Sequence, residues 1–148
     1  MPRLPRGTGI ALIVVIVLAG ALVVSKTLAP EKAQRISAEQ LKRLIDGKQE
    51  FLFLDVREPR ELEKDGTIKG YVHIRLSELE SRLSEVPRDK PIVAACRRGV
   101  RAARAAAILE KHGYSGIGYT GLAEYKAKGY ELIYPNVDVL DSSAEMKR

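Results

Sequence analysis

Apolar positions between residues 36 and 135 follow two kinds of spacing that replace each other along the chain. Short continuous apolar runs, such as Phe51–Leu54, are typical of strands buried on both faces. Between them, apolar residues recur at helical spacing behind capping signals, as at Ser37–Gln40 and Ser77–Glu80. The predicted strands cover residues 51–54, 71–74, 92–95 and 116–119, and the predicted helices cover residues 37–47, 59–64, 77–86, 101–113 and 122–128. This alternation predicts an α/β fold whose parallel sheet has helices on both faces.

A different pattern marks the N-terminal part of the chain, because residues 7–25 contain no charge. A helix of about 19 residues is roughly 28 Å long, close to the thickness of a bilayer core. The pattern therefore predicts a retained anchor, one transmembrane helix within residues 1–27, that contacts the membrane through residues 8–27. A cleavable signal peptide is the alternative, because Ala19–Ala21 fits a small-residue cleavage site.

The rest of the chain divides into a polar linker at residues 28–35, one domain at residues 36–135 and a mobile tail at residues 136–148. A length of 148 residues leaves room for one ordinary domain. An anchor with its N-terminus inside and a signal peptide both export this domain. We expect a single-pass protein of the cell membrane with the domain on the periplasmic or extracellular face, or a protein secreted after cleavage.

The amino-acid composition argues against nucleic-acid binding, an internal disulfide and a structural zinc site. The net charge of +6 could indicate nucleic acid, but Trp is absent, Phe occurs twice, and no basic run carries interleaved aromatic residues. We therefore expect no nucleic-acid partner. The single cysteine excludes an internal disulfide, and with only two histidines it argues against a structural zinc site. No metal is expected.

That cysteine, Cys96, lies where a predicted strand runs into a basic turn and then into a helix. A helix N-terminus and neighbouring arginines favour the thiolate form of a cysteine and the binding of an anion. A lone cysteine is often only a small buried hydrophobic residue, but Arg97 and Arg98 follow at once and cannot remain unpaired in a core. Gly99 allows the backbone to turn so that its amides point inward. The pattern predicts a nucleophilic thiolate beside an anion site.

The order of these motifs resembles a single rhodanese (thiosulfate sulfurtransferase) domain over residues 36 to about 133. The matching pieces are Leu54–Arg57 with Glu61 and Leu62, the helix at residues 77–83, the loop Cys96–Arg101, and Gly121–Tyr125 with Gly129. The resemblance implies a five-stranded parallel sheet and a persulfide carried on Cys96. It also implies transfer of sulfane sulfur from thiosulfate or a similar anionic donor to a thiol or cyanide-like acceptor, without a cofactor.

Site residues follow from the same resemblance. The expected substrate-binding residues are Arg97, Arg98, Gly99, Val100 and Arg101. We expect the first two arginines to project into solvent and Arg101 to be partly buried, so that losing Arg101 does most harm. Asp55 and Arg57, after a neighbouring strand, are supporting residues, and Asp55 either orients a loop arginine or forms a structural ion pair.

The chain departs from the family pattern at two places. The segment Gly66–Tyr71 replaces the usual Gly-His-Ile-Pro-Gly-Ala, and Tyr125 replaces the usual late tryptophan. These positions support packing around the loop, so the departures bear on substrate access and efficiency rather than on the fold.

Two other functions compete with sulfur transfer. Cysteine phosphatases place an arginine six residues after the cysteine, but position 102 is alanine and the arginine comes one residue earlier. A smaller loop suits sulfur better than a phosphoryl group with three equatorial oxygens. The second alternative is a non-catalytic membrane-tethered module that binds partners or senses sulfide. The retained cysteine favours the enzyme.

Overall fold

Five strands form one sheet in the part of the chain that the computed structural model describes, residues 32–136. In chain order they are β1 Gln34–Arg35, β2 Leu52–Asp55, β3 Val72–His73, β4 Ile92–Cys96 and β5 Ile117–Gly121. The order across the sheet is β1-β5-β4-β2-β3, and each neighbouring pair is parallel. The α/β fold with a five-stranded parallel sheet is therefore confirmed.

Helices connect the strands, as the spacing of apolar residues predicts. They are α1 Ala38–Asp46, α2 Pro59–Asp65, a 3₁₀ helix Leu79–Glu85, α3 Val100–Lys111 and α4 Leu122–Ala127. The capping box at the start of α1 is formed: the backbone N–H of Gln40 donates to Ser37 Oγ at 3.2 Å, and the backbone N–H of Ser37 donates to Gln40 Oε1 at 2.8 Å. Gly47 ends this helix. Both ends of α1 could thus be predicted from local chemistry alone.

Alternate residues of the central strands point to opposite faces of the sheet, and each face has its own apolar core. Helix α3 and the 3₁₀ helix cover one face, and its core includes Leu54, Ala94, Cys96, Ala105 and Leu109. Helices α1 and α4 cover the other face, and its core includes Leu41, Phe53, Val93, Ala95 and Tyr125. Every residue of β4 is buried, so the strand that ends in the cysteine is held from both sides.

Strand β1 corrects the predicted linker at residues 28–35, because Gln34 and Arg35 belong to the sheet. They pair with Gly118 and Tyr119 of β5. Beyond them, the N–H of Ile36 donates to the carbonyl of Tyr119 at 2.9 Å. The strand has two exposed polar residues and therefore no apolar alternation that a sequence pattern could reveal. Only its backbone pairing identifies it.

The predicted capping box at Ser77–Glu80 is also corrected. The element there is a 3₁₀ helix that begins at Leu79, and its N-cap, Glu78, makes no side-chain capping bond. Glu80, which would have reached back to Ser77, instead hydrogen-bonds Lys111 at 3.3 Å and His112 at 3.2 Å at the end of α3. A tertiary contact therefore replaces the local cap.

The predicted membrane segment, residues 8–27, lies outside the described residues, as do residues 137–148 of the predicted tail. Within residues 32–136, the structure contains no helix that is both long enough and apolar enough to cross a bilayer.

Candidate active site

Cys96 lies at the carboxyl end of β4, between the ends of β2 and β5. In a parallel sheet this edge is where ligands bind. Cys96 is the register partner of Gly121 in β5. On the other side, the N–H of Val56 donates to the carbonyl of Ala95 at 3.0 Å. Backbone hydrogen bonds to both neighbouring strands thus set the position of the cysteine.

The loop after Cys96 folds back over its sulfur. Gly99 has φ +92°, a left-handed conformation that glycine adopts without steric cost. In this conformation its N–H donates to Cys96 Sγ at 3.1 Å, and its carbonyl accepts from the N–H of Ala103 at 2.8 Å, the first hydrogen bond of α3. The cysteine is only 2% exposed. An amide directed at the sulfur at a helix N-terminus stabilises negative charge there.

The junction between β5 and α4 holds the loop from beneath. The N–H of Ala123 donates to the carbonyl of Arg97 at 2.9 Å. Gly121 packs so closely that an added Cβ would lie 2.7 Å from the carbonyl carbon of Arg98 and 3.0 Å from the backbone nitrogen of Gly99. The absence of a side chain at Gly121 is therefore a condition for this loop geometry.

The arginines of the loop lie in different environments. Arg97 and Arg98 are exposed, and so is Val100, at 61%. Arg101 is partly buried, with its side chain 33% exposed, and its two terminal nitrogens each donate to a carboxylate oxygen of Glu61 in α2 at 2.6 Å. These bonds raise the pKa of Arg101 and hold the pKa of Glu61 below its usual value. The charge of Arg101 is therefore shared with a protein carboxylate.

Asp55 and Arg57 form the structural ion pair that was one of the two alternatives. Both are fully buried, and Arg57 Nη2 lies 2.6 Å from Asp55 Oδ2. Arg57 also donates to the carbonyl of Gly66 at 2.7 Å, and the hydroxyl of Thr67 donates to Asp55 at 2.8 Å. Within residues 32–136, Asp55 forms no hydrogen bond or ion pair with an arginine of the loop Cys96–Arg101. The pair fixes the loop after β2 and the segment that departs from the family pattern.

Tyr125, the second departure, fills a core position. It is 2% exposed in the core between the sheet and helices α1 and α4, and its ring lies edge-on to Tyr130 with centroids 4.9 Å apart. Burial raises the pKa of its hydroxyl. Its role in the structure is therefore packing.

Two residues near the loop were not predicted as site residues from the sequence. Glu61 was noted only as part of the family motif, and its partner 40 positions later could not be read from spacing. Arg35 was assigned to the linker, but its guanidinium lies beside Gly99. No sequence signal pointed to Arg35, because β1 consists of two exposed polar residues and is identified only by its pairing with β5.

A separate cavity of about 430 Å³ lies on the α1 and α4 side of the sheet. Among the described residues its walls include Phe51, Phe53, Ile68 and Tyr125, and they include no residue of the loop Cys96–Arg101. The cavity is therefore distinct from the site around the thiol.

The family model for the rhodanese-like domain matches residues 37–130, more than half of the chain. This chain therefore belongs to the rhodanese-like family. It is 31% identical over 88 residues to YtwF of Bacillus subtilis (strain 168), which covers 60% of this chain and 84% of that protein. It is 32% identical over 79 residues to a sulfurtransferase of Allochromatium vinosum, which covers 53% of this chain and 73% of that protein.

Solved structures have the same fold. A rhodanese-related protein from Thermoplasma volcanium superimposes with a TM-score of 0.62 at 31% identity, and the match covers 69% of this chain and 99% of that one. The family and its sulfurtransferase relative support sulfur transfer as the general activity of this chain.

Proposed function

We propose that this protein is a thiosulfate-type sulfurtransferase that carries the transferred sulfur as a persulfide on Cys96. The observation that carries the proposal is the amide of Gly99 directed at Cys96 Sγ at 3.1 Å, within a loop that also contains Arg97 and Arg98. A thiolate is the nucleophile that sulfur transfer needs, and the amide stabilises it. The two exposed arginines attract an anionic sulfur donor.

In the first half-reaction the Cys96 thiolate attacks the outer sulfur of thiosulfate. A new S–S bond forms to Cys96, the S–S bond of thiosulfate breaks, and its electron pair leaves with sulfite. Thiolate and thiosulfate together carry three negative charges, and so do persulfide anion and sulfite, so no proton has to move. No general base is required, and in this proposal the loop amides together with Arg97 and Arg98 stabilise the leaving oxyanion.

In the second half-reaction an acceptor removes the outer sulfur. Cyanide attacks that sulfur, thiocyanate leaves, and the Cys96 thiolate is restored with the same total charge. An S–S bond of about 2.05 Å places the outer sulfur beyond the buried Sγ. The exposed Val100 stands at the surface of the loop. A small acceptor therefore needs little dedicated binding surface.

The competing functions predict different chemistry at the same thiol. A phosphatase would need a cation one position later in the loop, but Ala102 is buried in the first turn of α3. A binding or sulfide-sensing module would keep the fold without turnover. The separating experiment is mass spectrometry of the full chain after incubation with thiosulfate.

We expect a gain of one sulfur atom on Cys96, lost again on addition of cyanide with release of thiocyanate. Cys96→Ser should fold normally, and it should neither gain the sulfur atom nor release thiocyanate, because Cys96 is the only cysteine of the chain. Transfer that persists in Cys96→Ser would refute the proposal, and a stable adduct without turnover would favour the sensing module.

We further propose that residues 8–27 tether the domain to the cell membrane, with the domain on the periplasmic or extracellular face. The absence of charge over residues 7–25 supports the tether. Protease added to spheroplasts, in which the cytoplasmic membrane is intact and the outer layers are removed, should digest the domain. Digestion only after lysis would place the domain on the inside, and a shortened mature chain in the medium would indicate signal cleavage instead.

A further inference from the structure

Strand β1 brings a fourth arginine to the loop. Arg35 is the last residue of β1 and pairs in register with Tyr119 of β5. Its side chain crosses the end of β5 and reaches the loop after β4, because β5 lies between β1 and β4 in the sheet. The Cζ and Nη1 atoms of Arg35 both lie 3.7 Å from the point where a Cβ on Gly99 would stand.

Gly99 therefore lies between the thiol, which its amide contacts, and this guanidinium, which lies close to its Cα. Its N–H lies 3.1 Å from Cys96 Sγ. This distance and the 3.7 Å contact, joined by two covalent bonds of about 1.5 Å, place the guanidinium carbon at most about 10 Å from the sulfur. This upper limit is about one Debye length at 0.1 M salt, so the attraction between Arg35 and an anion at the thiol is weakened by salt but not abolished.

The charge of Arg35 is also available, in contrast to that of Arg101. Both terminal nitrogens of Arg101 donate hydrogen bonds to Glu61. Arg35 is exposed and forms no side-chain hydrogen bond or ion pair with residues 32–136. In the part of the chain that the structure describes, Arg35 therefore adds an unpaired cation beside the loop to the exposed Arg97 and Arg98 within it.

We infer that Arg35 is a specificity-determining residue that binds the anionic end of the sulfur donor and selects donors by charge. This inference rests on the proposed sulfur transfer. Its guanidinium offers forked N–H groups that match the oxygens of a sulfonate. A dianion such as thiosulfate gains more from this contact than a monoanion such as methanethiosulfonate, although the same S–S bond chemistry loads Cys96 in both cases.

The test compares these two sulfur donors with the full chain in nonionic detergent. Arg35→Ala should lower kcat/KM roughly 2- to 5-fold for thiosulfate, mainly through KM, and less than about 2-fold for methanethiosulfonate, as expected for a solvent-exposed charge contact. Arg35→Lys should recover part of the loss. The difference between the two donors should shrink as salt is added.

Arg43→Ala is the matched control, because Arg43 is an exposed cation in the last turn of α1, at the other end of that helix from β1. This substitution should leave kcat/KM unchanged for both donors. If Arg35→Ala and Arg43→Ala change kcat/KM for thiosulfate by the same factor, the inference is wrong. It is also wrong if Arg35→Ala lowers kcat/KM equally for both donors.

Binding in a chain that cannot react separates this inference from the proposed function. Thiosulfate is titrated calorimetrically into Cys96→Ser and into the double variant Cys96→Ser with Arg35→Ala. The double variant should bind thiosulfate roughly 2- to 5-fold more weakly, because it lacks the same solvent-exposed charge contact. If the wild type forms no persulfide but this weakening is seen, the proposed function fails and the anion contact stands. If binding is equal in both variants, the inference fails whatever the activity.

Discussion

Each cation near Cys96 has a distinct set of contacts, and those contacts determine its effect. Arg97 and Arg98 face solvent, whereas Arg101 is held by Glu61 in a bidentate pair. Position in the loop alone suggested that Arg101 would act directly on the substrate. In the structure it ties the start of α3 to α2, and its charge interacts with Cys96 from within the pair with Glu61.

We predict that Arg101→Ala and Glu61→Gln lower kcat/KM to a similar extent, about 5-fold each, because either change breaks the same partly screened ion pair worth about 1 kcal/mol. The double variant should be little worse than either single variant. Arg97→Ala should chiefly raise KM for thiosulfate. Steady-state kinetics on the four variants test this. If Glu61→Gln is harmless while Arg101→Ala is not, Arg101 acts on the substrate instead.

The buried pair of Asp55 and Arg57 leads to a prediction about stability. Asp55→Ala should lower the free energy of unfolding by about 3–5 kcal/mol, because Arg57 would keep an uncompensated charge in the core. Urea unfolding measures the loss. Asp46→Ala is the control, because this exposed aspartate pairs with Lys42 at the surface, and its loss should leave stability nearly unchanged. Equal effects of the two substitutions would mean that Asp55 is not holding Arg57.

At the scale of elements, the site depends on where three strand ends meet. Strand β4 positions the thiol, β5 supports the loop at Gly121, and β1 brings Arg35 across it. The close approach at Gly121 leaves no space for a methyl group, since the atoms in the way belong to the loop backbone.

Gly121→Ala should therefore displace the loop and lower kcat/KM by about 10- to 100-fold, the cost of a misplaced reacting group. Gly118→Ala is the matched control within β5, because its Cβ would meet the side chain of Ile36 and not the loop. Both variants should be less stable. The comparison is made at a temperature where both are folded, and equal activities would contradict the role given to Gly121.

At the scale of the whole molecule, ion pairs link stability to pH. The pKa of Glu61 lies below its usual value of 4.5 because Arg101 hydrogen-bonds its carboxylate, and Arg75 lowers that of Glu78 in the same way. A carboxylate whose pKa is lower in the folded chain contributes stability above its unfolded pKa. That contribution is lost as pH falls through the folded pKa.

We therefore predict that the free energy of unfolding decreases as pH falls below about 4.5, the usual pKa of a glutamate side chain. Glu61→Gln should start from a lower stability at neutral pH and lose less on acidification, because the group that titrates is gone. Urea titrations at several pH values between neutrality and pH 3 would show this. Parallel curves for wild type and variant would contradict it.

Much of the fold and the centre of the site could be predicted from sequence because they depend on local chemistry. The capping box at Ser37 and the apolar run around Phe53 act over a few residues, so their pattern is sufficient. The same is true of Cys96: the only cysteine stands at a strand-to-helix turn with glycine and arginines beside it, and the turn brings an amide to the sulfur.

The tertiary structure decided everything that depends on which distant residues meet. Strand β1 exists because its backbone pairs with β5, and the cap at Ser77 is lost because Glu80 meets the end of α3. The role of a charge is the clearest case. A guanidinium interacts with the partner that lies within a few ångströms of it. Arg101 binds Glu61, and Arg35 lies beside the loop, because the folded sheet brings these distant segments together.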